Sequence, residues 1–156
     1  MLRHLSLLLA APLVAILPQP AWAADCTAEV SPLVFGQFHS IDGSPADITA
    51  TIGVTCSASA AETVNYEIRI AAPSGRSGRV MRGSEGDLPY ELYTSLNRRQ
   101  PWGDGTGGTG VVTGSMSLAA GERHTVNYTA YGRILATRAA RAGAYSDALP
   151  VYLVIQ

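Results

Sequence analysis

The sequence has 156 residues, 47% hydrophobic, 15% charged and 7% aromatic, with a formal net charge of −1. One domain with a real core is expected at that length. A charge so near zero on so few charged residues excludes an electrostatic nucleic-acid binder, and the apolar fraction excludes a disordered chain.

All 11 basic residues are arginine, so no lysine is present for Schiff-base or Walker-type phosphate chemistry. A structural or binding role therefore starts ahead of nucleotide hydrolysis or DNA binding. The chain opens with a short basic start containing Arg3. An apolar stretch follows from Leu5 to Ile16, and Ala21-Trp22-Ala23 comes after Pro18 and Pro20. Basic end, apolar stretch and small residues at −3 and −1 is the order of a secretory signal. A spanning helix needs about 20 apolar residues, so an anchor fits less well. Cleavage is expected after Ala23, dividing the chain into a signal over 1–23 and one domain over 24–156. Ala24 and Asp25 precede Cys26, which does not suit a lipoprotein anchor. No later segment is long and apolar enough to span a membrane.

The two cysteines are Cys26 and Cys56. In an exported protein a single disulfide is the default expectation. Metal ligation is the alternative, and so wide a spacing without a paired histidine fits no zinc pattern. No cofactor is expected.

From Ile48 to Cys56 apolar and polar residues alternate, so that Ile48, Ala50, Ile52, Val54 and Cys56 share one face of a strand. Val64–Ile70 repeats the pattern until Pro73-Ser74-Gly75 breaks it. Leu88–Tyr93, Val111–Leu118 and His124–Ala130 are further strand candidates. Arg133–Ala142 is rich in Ala and Arg, lacks an apolar stripe and reads as a loop with at most one helical turn. The last run, Leu149–Gln156, places Leu149, Val151, Leu153 and Ile155 on one face. Short strands joined by turns argue for an all-β, antiparallel, immunoglobulin-like sandwich.

A seven-strand sandwich needs one more strand after Leu149–Gln156. Either the sandwich lacks that strand, leaving an apolar slot and an unpaired edge that invites a strand from another chain, or one strand is not legible and the fold closes on itself. Pro150 has no N–H and suits an edge.

Other chemistry is poorly supported, and no enzyme is expected. Of the two histidines after the signal, His39 and His124, the latter lies in a strand in phase with Val126 and Tyr128 and reads as structural. No Gly-x-Ser-x-Gly elbow is present. Asp87 and Glu91 have no diagnostic spacing for glycoside cleavage. The loop Trp102–Gly110 is a possible ligand loop, with Trp102 and Tyr93 as stacking platforms for sugar or Asp104 as a calcium ligand. Its plainer reading is a hairpin loop held by one buried tryptophan. Arg76, Arg79, Arg82, Arg98 and Arg99 interleave with Glu85, Asp87 and Glu91 and read as a solvated mixed-charge surface.

Several pieces in order carry a resemblance: Cys26 with Phe35-Gly36-Gln37-Phe38, Ile52–Cys56, Tyr66-Glu67-Ile68, Arg79-Val80-Met81, Leu88–Tyr93, Trp102-Gly103-Asp104-Gly105, Tyr131–Ile134 and Ala142–Asp147. Together they resemble the spore coat protein U domain family, which includes subunits of archaic chaperone–usher pili. The resemblance implies an incomplete immunoglobulin-like sandwich with Cys26 and Cys56 bonded. It implies as partners a periplasmic chaperone that lends a strand, other pilus subunits that replace it, and an outer-membrane usher. It also implies transit through the periplasm to the cell surface, and a role in adhesion and biofilm formation.

On that reading the donor-strand groove is lined by Leu149, Val151, Leu153 and Ile155, with Val30 and Val34 on the opposite rim. The carboxylate of Gln156 anchors the chaperone. Only Ala24 and Asp25 would precede Cys26 after cleavage. Two residues cannot fill a slot needing roughly ten, so the subunit is expected to accept a strand without donating one, as a tip or minor subunit. The rival expectations are a free-standing secreted spore-coat or matrix protein and a carbohydrate-binding module.

Overall fold

The computed structural model describes residues 24–37, 43–71, 78–135 and 140–156. The expected signal over 1–23, Phe38, His39, the Pro73-Ser74-Gly75 break and Arg76 lie outside those residues, as does 136–139 of the expected loop. The described residues form strands and no helix. The nine strands are β1 (Ala24–Val30), β2 (Ala46–Ala58), β3 (Glu62–Ile70), β4 (Arg79–Gly83), β5 (Gly86–Tyr93), β6 (Val112–Leu118), β7 (Arg123–Ile134), β8 (Tyr145–Ser146) and β9 (Val151–Ile155).

Two antiparallel sheets pack face to face as an immunoglobulin-like sandwich. One has the order β1-β2-β7-β5-β4-β8 and the other β6-β3-β9. The period-two pattern of β2 works as expected, with Ala50, Ile52, Val54, Cys56 and Ala58 buried and alternate residues turned outward. Val64, Tyr66, Ile68 and Ile70 of β3 and Met116 and Leu118 of β6 meet them from the other sheet. Each large side chain buried in this way contributes about 1.5–3 kcal/mol. Cys26 lies directly opposite Cys56 in the β1–β2 ladder, and the two form a disulfide with Cα atoms 4.1 Å apart.

Several elements differ from the sequence expectation. Arg133 and Ile134 continue β7 instead of starting a loop, because they pair with Asp47 and Ala46 of β2 and with Glu91 and Tyr90 of β5. The last strand begins at Val151, and Leu149 and Pro150 lead into it as irregular chain. β4 and β8 were not legible as strands. β4 is a short, arginine-bearing arm of a tight hairpin in which Gly83 pairs with Gly86. β8 has two residues, and its Tyr145 fits against β4 because position 83 has no side chain. A Cβ there would lie 2.7 Å from the Ala144 carbonyl oxygen and 2.7 Å from the Tyr145 ring.

Arg79 is not on a solvated surface: it is 2% exposed. Its Nη1 donates to Glu91, and its Nη2 donates to the carbonyls of Ala71 (2.9 Å) and Trp102 (2.8 Å). A charge so deeply buried persists only when paired and hydrogen-bonded.

On the outward side, Arg133 forms a two-pronged pair with Asp47 at 2.6 and 2.7 Å, and Arg98 joins at 3.0 Å. The Arg133 hydrogen bond is the main reason the Asp47 carboxyl is held below its ordinary value. That stabilisation is present above the unfolded carboxylate range and is lost as pH falls through the lowered folded value. Because Asp47 is partly solvated, the loss should stay below about 1 kcal/mol. Urea midpoints compared between about pH 5 and pH 2 should fall less steeply in Asp47→Asn than in the parent, and equal slopes would remove this pair from the acid response.

Candidate functional site

The site is built at two edge strands, each hydrogen-bonded to another strand on one side alone. Among the described residues β1 pairs only with β2, and β9 pairs only with β3. On β1 the inward phase runs Ala24, Cys26, Ala28, Val30. On β9 it runs Val151, Leu153, Ile155, opposite Ile70, Ile68 and Tyr66. Both rows end bare: Val30 is 49% and Ile155 48% exposed. Both belong to the phase whose earlier members are half-buried against the core.

A cavity of about 1020 Å³ opens beside these edges. Its floor is the inner face of the larger sheet, including Ile52, Ala130, Ile134, Leu88, Tyr90 and Leu92. One wall is the segment 30–37, and the other comprises 140–147 with Leu149 and Val151.

The first wall leaves the strand ladder after Val30. Ser31 N–H donates to the Thr51 carbonyl at 2.9 Å, and its Oγ accepts from Thr51 N–H at 2.8 Å. Beyond that point Leu33 and Phe35 turn inward and pack against the core. Gly132 of β7 is their seat: a Cβ there would lie 2.9 Å from Leu33 and 3.1 Å from Phe35. The Phe35 ring meets Tyr90 edge-on, with centroids 6.2 Å apart. Val34 therefore stands on the outer rim, 66% exposed.

The polar groups of the cavity lie mainly on the second wall. The Tyr90 hydroxyl donates to Asp147 Oδ2 at 2.7 Å. Burial, then this bond, pushes the Tyr90 phenol above its ordinary value, so it stays a neutral donor. Tyr145 donates to the Arg141 carbonyl at 2.7 Å. The first bond ties the chain between β8 and β9 to the larger sheet, and the second closes the segment before β8 onto β8.

The residues expected from sequence are distributed as follows. Val30, Val34, Leu149 and Val151 line the cavity. Leu153 packs against the core beside it, and Ile155 is the exposed end of the same row. Gln156 N–H donates to the Asn65 carbonyl and its side-chain amide donates to Glu67. Leu33, Phe35, Tyr90 and Asp147 had no assigned role. The Leu33-x-Phe35 alternation was the available signal, and its seat on Gly132 depends on a residue far away in the chain.

The glycine-rich loop lies elsewhere. Trp102 is 0% exposed, so it offers no face for stacking on a sugar. Its Nε1–H donates to the Ile68 carbonyl at 3.0 Å. Asp104 Oδ1 accepts from the Thr106 N–H and hydroxyl at 2.9 and 2.7 Å, closing the loop on itself. Tyr93 is half-buried on the outer face, near the Asp47 ion pairs. His124 is exposed, and Glu91 is committed to Arg79. Among the described residues no three of His, Cys, Asp and Glu gather where a metal could sit, and no helix is long and apolar enough to cross a membrane.

The chain is similar in fold to a solved chaperone–tip adhesion subunit pre-assembly complex, CsuC–CsuE, from the archaic chaperone–usher Csu pili of Acinetobacter baumannii. The TM-score is 0.56 at 17% identity, over 84% of this chain and 40% of that one. The matched region is thus well under half of that relative's length. No curated protein matches. The Spore Coat Protein U domain profile matches residues 12–152. With nearly its whole length aligned to that profile, this chain belongs to the Spore Coat Protein U domain family.

Proposed function

We propose that this protein is an exported structural subunit that accepts a strand from another chain and is thereby built into a chaperone–usher surface fibre. The observation that carries this reading is the large, mainly apolar cavity between the segment 30–37 and Val151, with Val30 and Ile155 left exposed at the ends of two edge strands. An extended segment laid in the groove would bond the free backbone of β9 and set alternate apolar side chains into the cavity.

Cleavage after Ala23 is part of the proposal. It directs the chain to the periplasm, where a chaperone first fills the groove and grips the end at Gln156, and then to the surface through an usher. With two residues ahead of Cys26, the subunit receives a strand and does not give one, which suits a tip or minor position. Adhesion and biofilm support follow from such a position. Its working parts are backbone edges and apolar side chains, not catalytic groups.

The test is a strand supplied in cis. A segment of roughly ten alternating apolar and polar residues, joined to Gln156 by a flexible linker, should raise the melting temperature by at least about 10 °C. It should also increase periplasmic yield. The same extension on Leu153→Asp should give little gain, because a carboxylate would sit beside the buried Ile68 without a partner. A parent protein with a high, sharp transition that the extension leaves unmoved would instead indicate a closed coat protein or binding module.

A further inference from the structure

We infer that the strand this groove takes carries a basic side chain, lysine or arginine, at the end beside the start of β9, where Asp147 receives it; this rests on the strand-acceptor reading above. The cavity lining is mainly apolar, and two of its residues are charged, Arg141 and Asp147. The Arg141 side chain is 74% exposed and lies 3.8 Å from Glu85, so its charge belongs to the solvent side. Asp147 is placed differently. Its Oδ2 accepts from the Tyr90 hydroxyl of the cavity floor at 2.7 Å, and its Oδ1 accepts from the Ala148 N–H at 2.9 Å. Both donors are neutral. Among the described residues no cation pairs with it. Arg82 stands opposite its neighbour Ser146 in the β4–β8 ladder but is turned to solvent.

A carboxylate has about four acceptor sites, and two of these are taken. In the open groove Asp147 is exposed, and water serves the others. A strand laid along β9 and past Leu149 displaces that water. Covering a charge that has no partner is costly. A lysine or arginine on the strand offsets the cost with a charge-assisted hydrogen bond. A neutral side chain does so poorly, and an acidic one adds repulsion.

The position of this charge matters as much as its sign. Asp147 lies just before Val151, at the end of the groove where β9 begins. The rest of the floor, with Ile52, Ala130, Ile134 and Leu92, is apolar. Strand side chains alternate with period two, so a slide of two residues sets apolar groups over that floor again. Only the charged end distinguishes one register from the next. Strands that match the apolar floor but end in a neutral or acidic residue are therefore disfavoured, which is discrimination by an unpaired charge.

Extensions joined to Gln156 by a short flexible linker test this on the signal-processed protein, because the added strand returns antiparallel to β9 and its far end reaches Asp147. Each has roughly ten residues alternating valine with threonine. Lysine in place of the last valine should raise the melting temperature by about 4 °C over glutamine at that position. Lysine in place of the first valine should give no such gain. The gain should vanish in Asp147→Asn, which keeps an acceptor for Tyr90, while the all-valine extension stabilises that variant as it does the parent. Equal melting temperatures for lysine and glutamine at the last position would overturn the inference. So would equal gains from lysine at either end, or a gain that survives in Asp147→Asn, because the charge would then act on the domain as a whole. If the all-valine extension gives no gain in the parent, strand acceptance itself falls and this inference with it. A gain from that extension without a lysine effect would leave strand acceptance standing and remove only the role of Asp147.

Discussion

Trp102→Ala is expected to destabilise the oxidised protein by about 3–5 kcal/mol, read from urea or guanidinium midpoints. The indole is fully buried, and its segment is where the chain crosses from one sheet to the other. Trp102 N–H donates to the Leu92 carbonyl of β5 at 2.8 Å, and the Gly103 carbonyl accepts from Ile70 N–H of β3 at 3.0 Å. The Nε1–H to the Ile68 carbonyl adds a second tie to β3. Truncation removes the largest fully buried side chain and leaves a buried carbonyl without its donor. Trp102→Phe should cost less, about 1–3 kcal/mol, because it keeps most of the apolar volume and loses the hydrogen bond. Near-neutral stability of Trp102→Ala would return the loop to the status of a ligand site.

The second large effect is expected at Gly114→Val, at about 3 kcal/mol or more. Gly114 lies on the inward phase of β6, directly opposite Tyr66. A Cβ at this position would lie 2.5 Å from the Tyr66 ring and would also collide with the Tyr128 hydroxyl. Those two tyrosines form a link between the sheets. Their hydroxyls are 2.7 Å apart, and their rings meet edge-on with centroids 6.3 Å apart. Burial is the main cause of the upward shift of the Tyr66 phenol, with the Tyr128 bond next, so Tyr66 stays neutral across the working range.

A side chain at 114 must therefore break the pair or push the sheets apart. Gly114→Ala should cost less than valine, and Tyr128→Phe in that background should recover part of the loss by removing the colliding hydroxyl. Additive losses in that double variant would mean that the tyrosine pair is not what makes position 114 intolerant.

The groove was legible in the chain to an uneven degree. The Val151, Leu153, Ile155 row follows from strict alternation in a strand, and β9 keeps that phase. Val34 was harder to place, because its position assumed that the first strand continues. The chain instead leaves the ladder after Val30, and the inward phase passes to Leu33 and Phe35. That change depends on the space above Gly132, a residue about a hundred positions away. Periodicity describes only neighbours along one strand and contains no information about what another strand leaves empty.

Arg79 shows the same limit for charge. Beside Arg76 and Arg82 it reads as surface, yet it points inward and is paired with Glu91 under the Trp102 segment. The pairing becomes visible only when β4 and β5 form a hairpin and the crossing loop comes down on it.

By itself the sequence determined the all-β class, the alternating faces of β2, β3 and β9, the pairing of its only two cysteines and the family to which they belong. These are set by local periodicity, composition and ordered motifs. The tertiary structure alone decided that β9 and β1 are edges, that Val30 and Ile155 remain bare, that Trp102 is an anchor and not a platform, and that one large cavity lies beside both edges. Each of these depends on which strands become neighbours, and strand order is set by long-range packing and hydrogen bonding that no local pattern records.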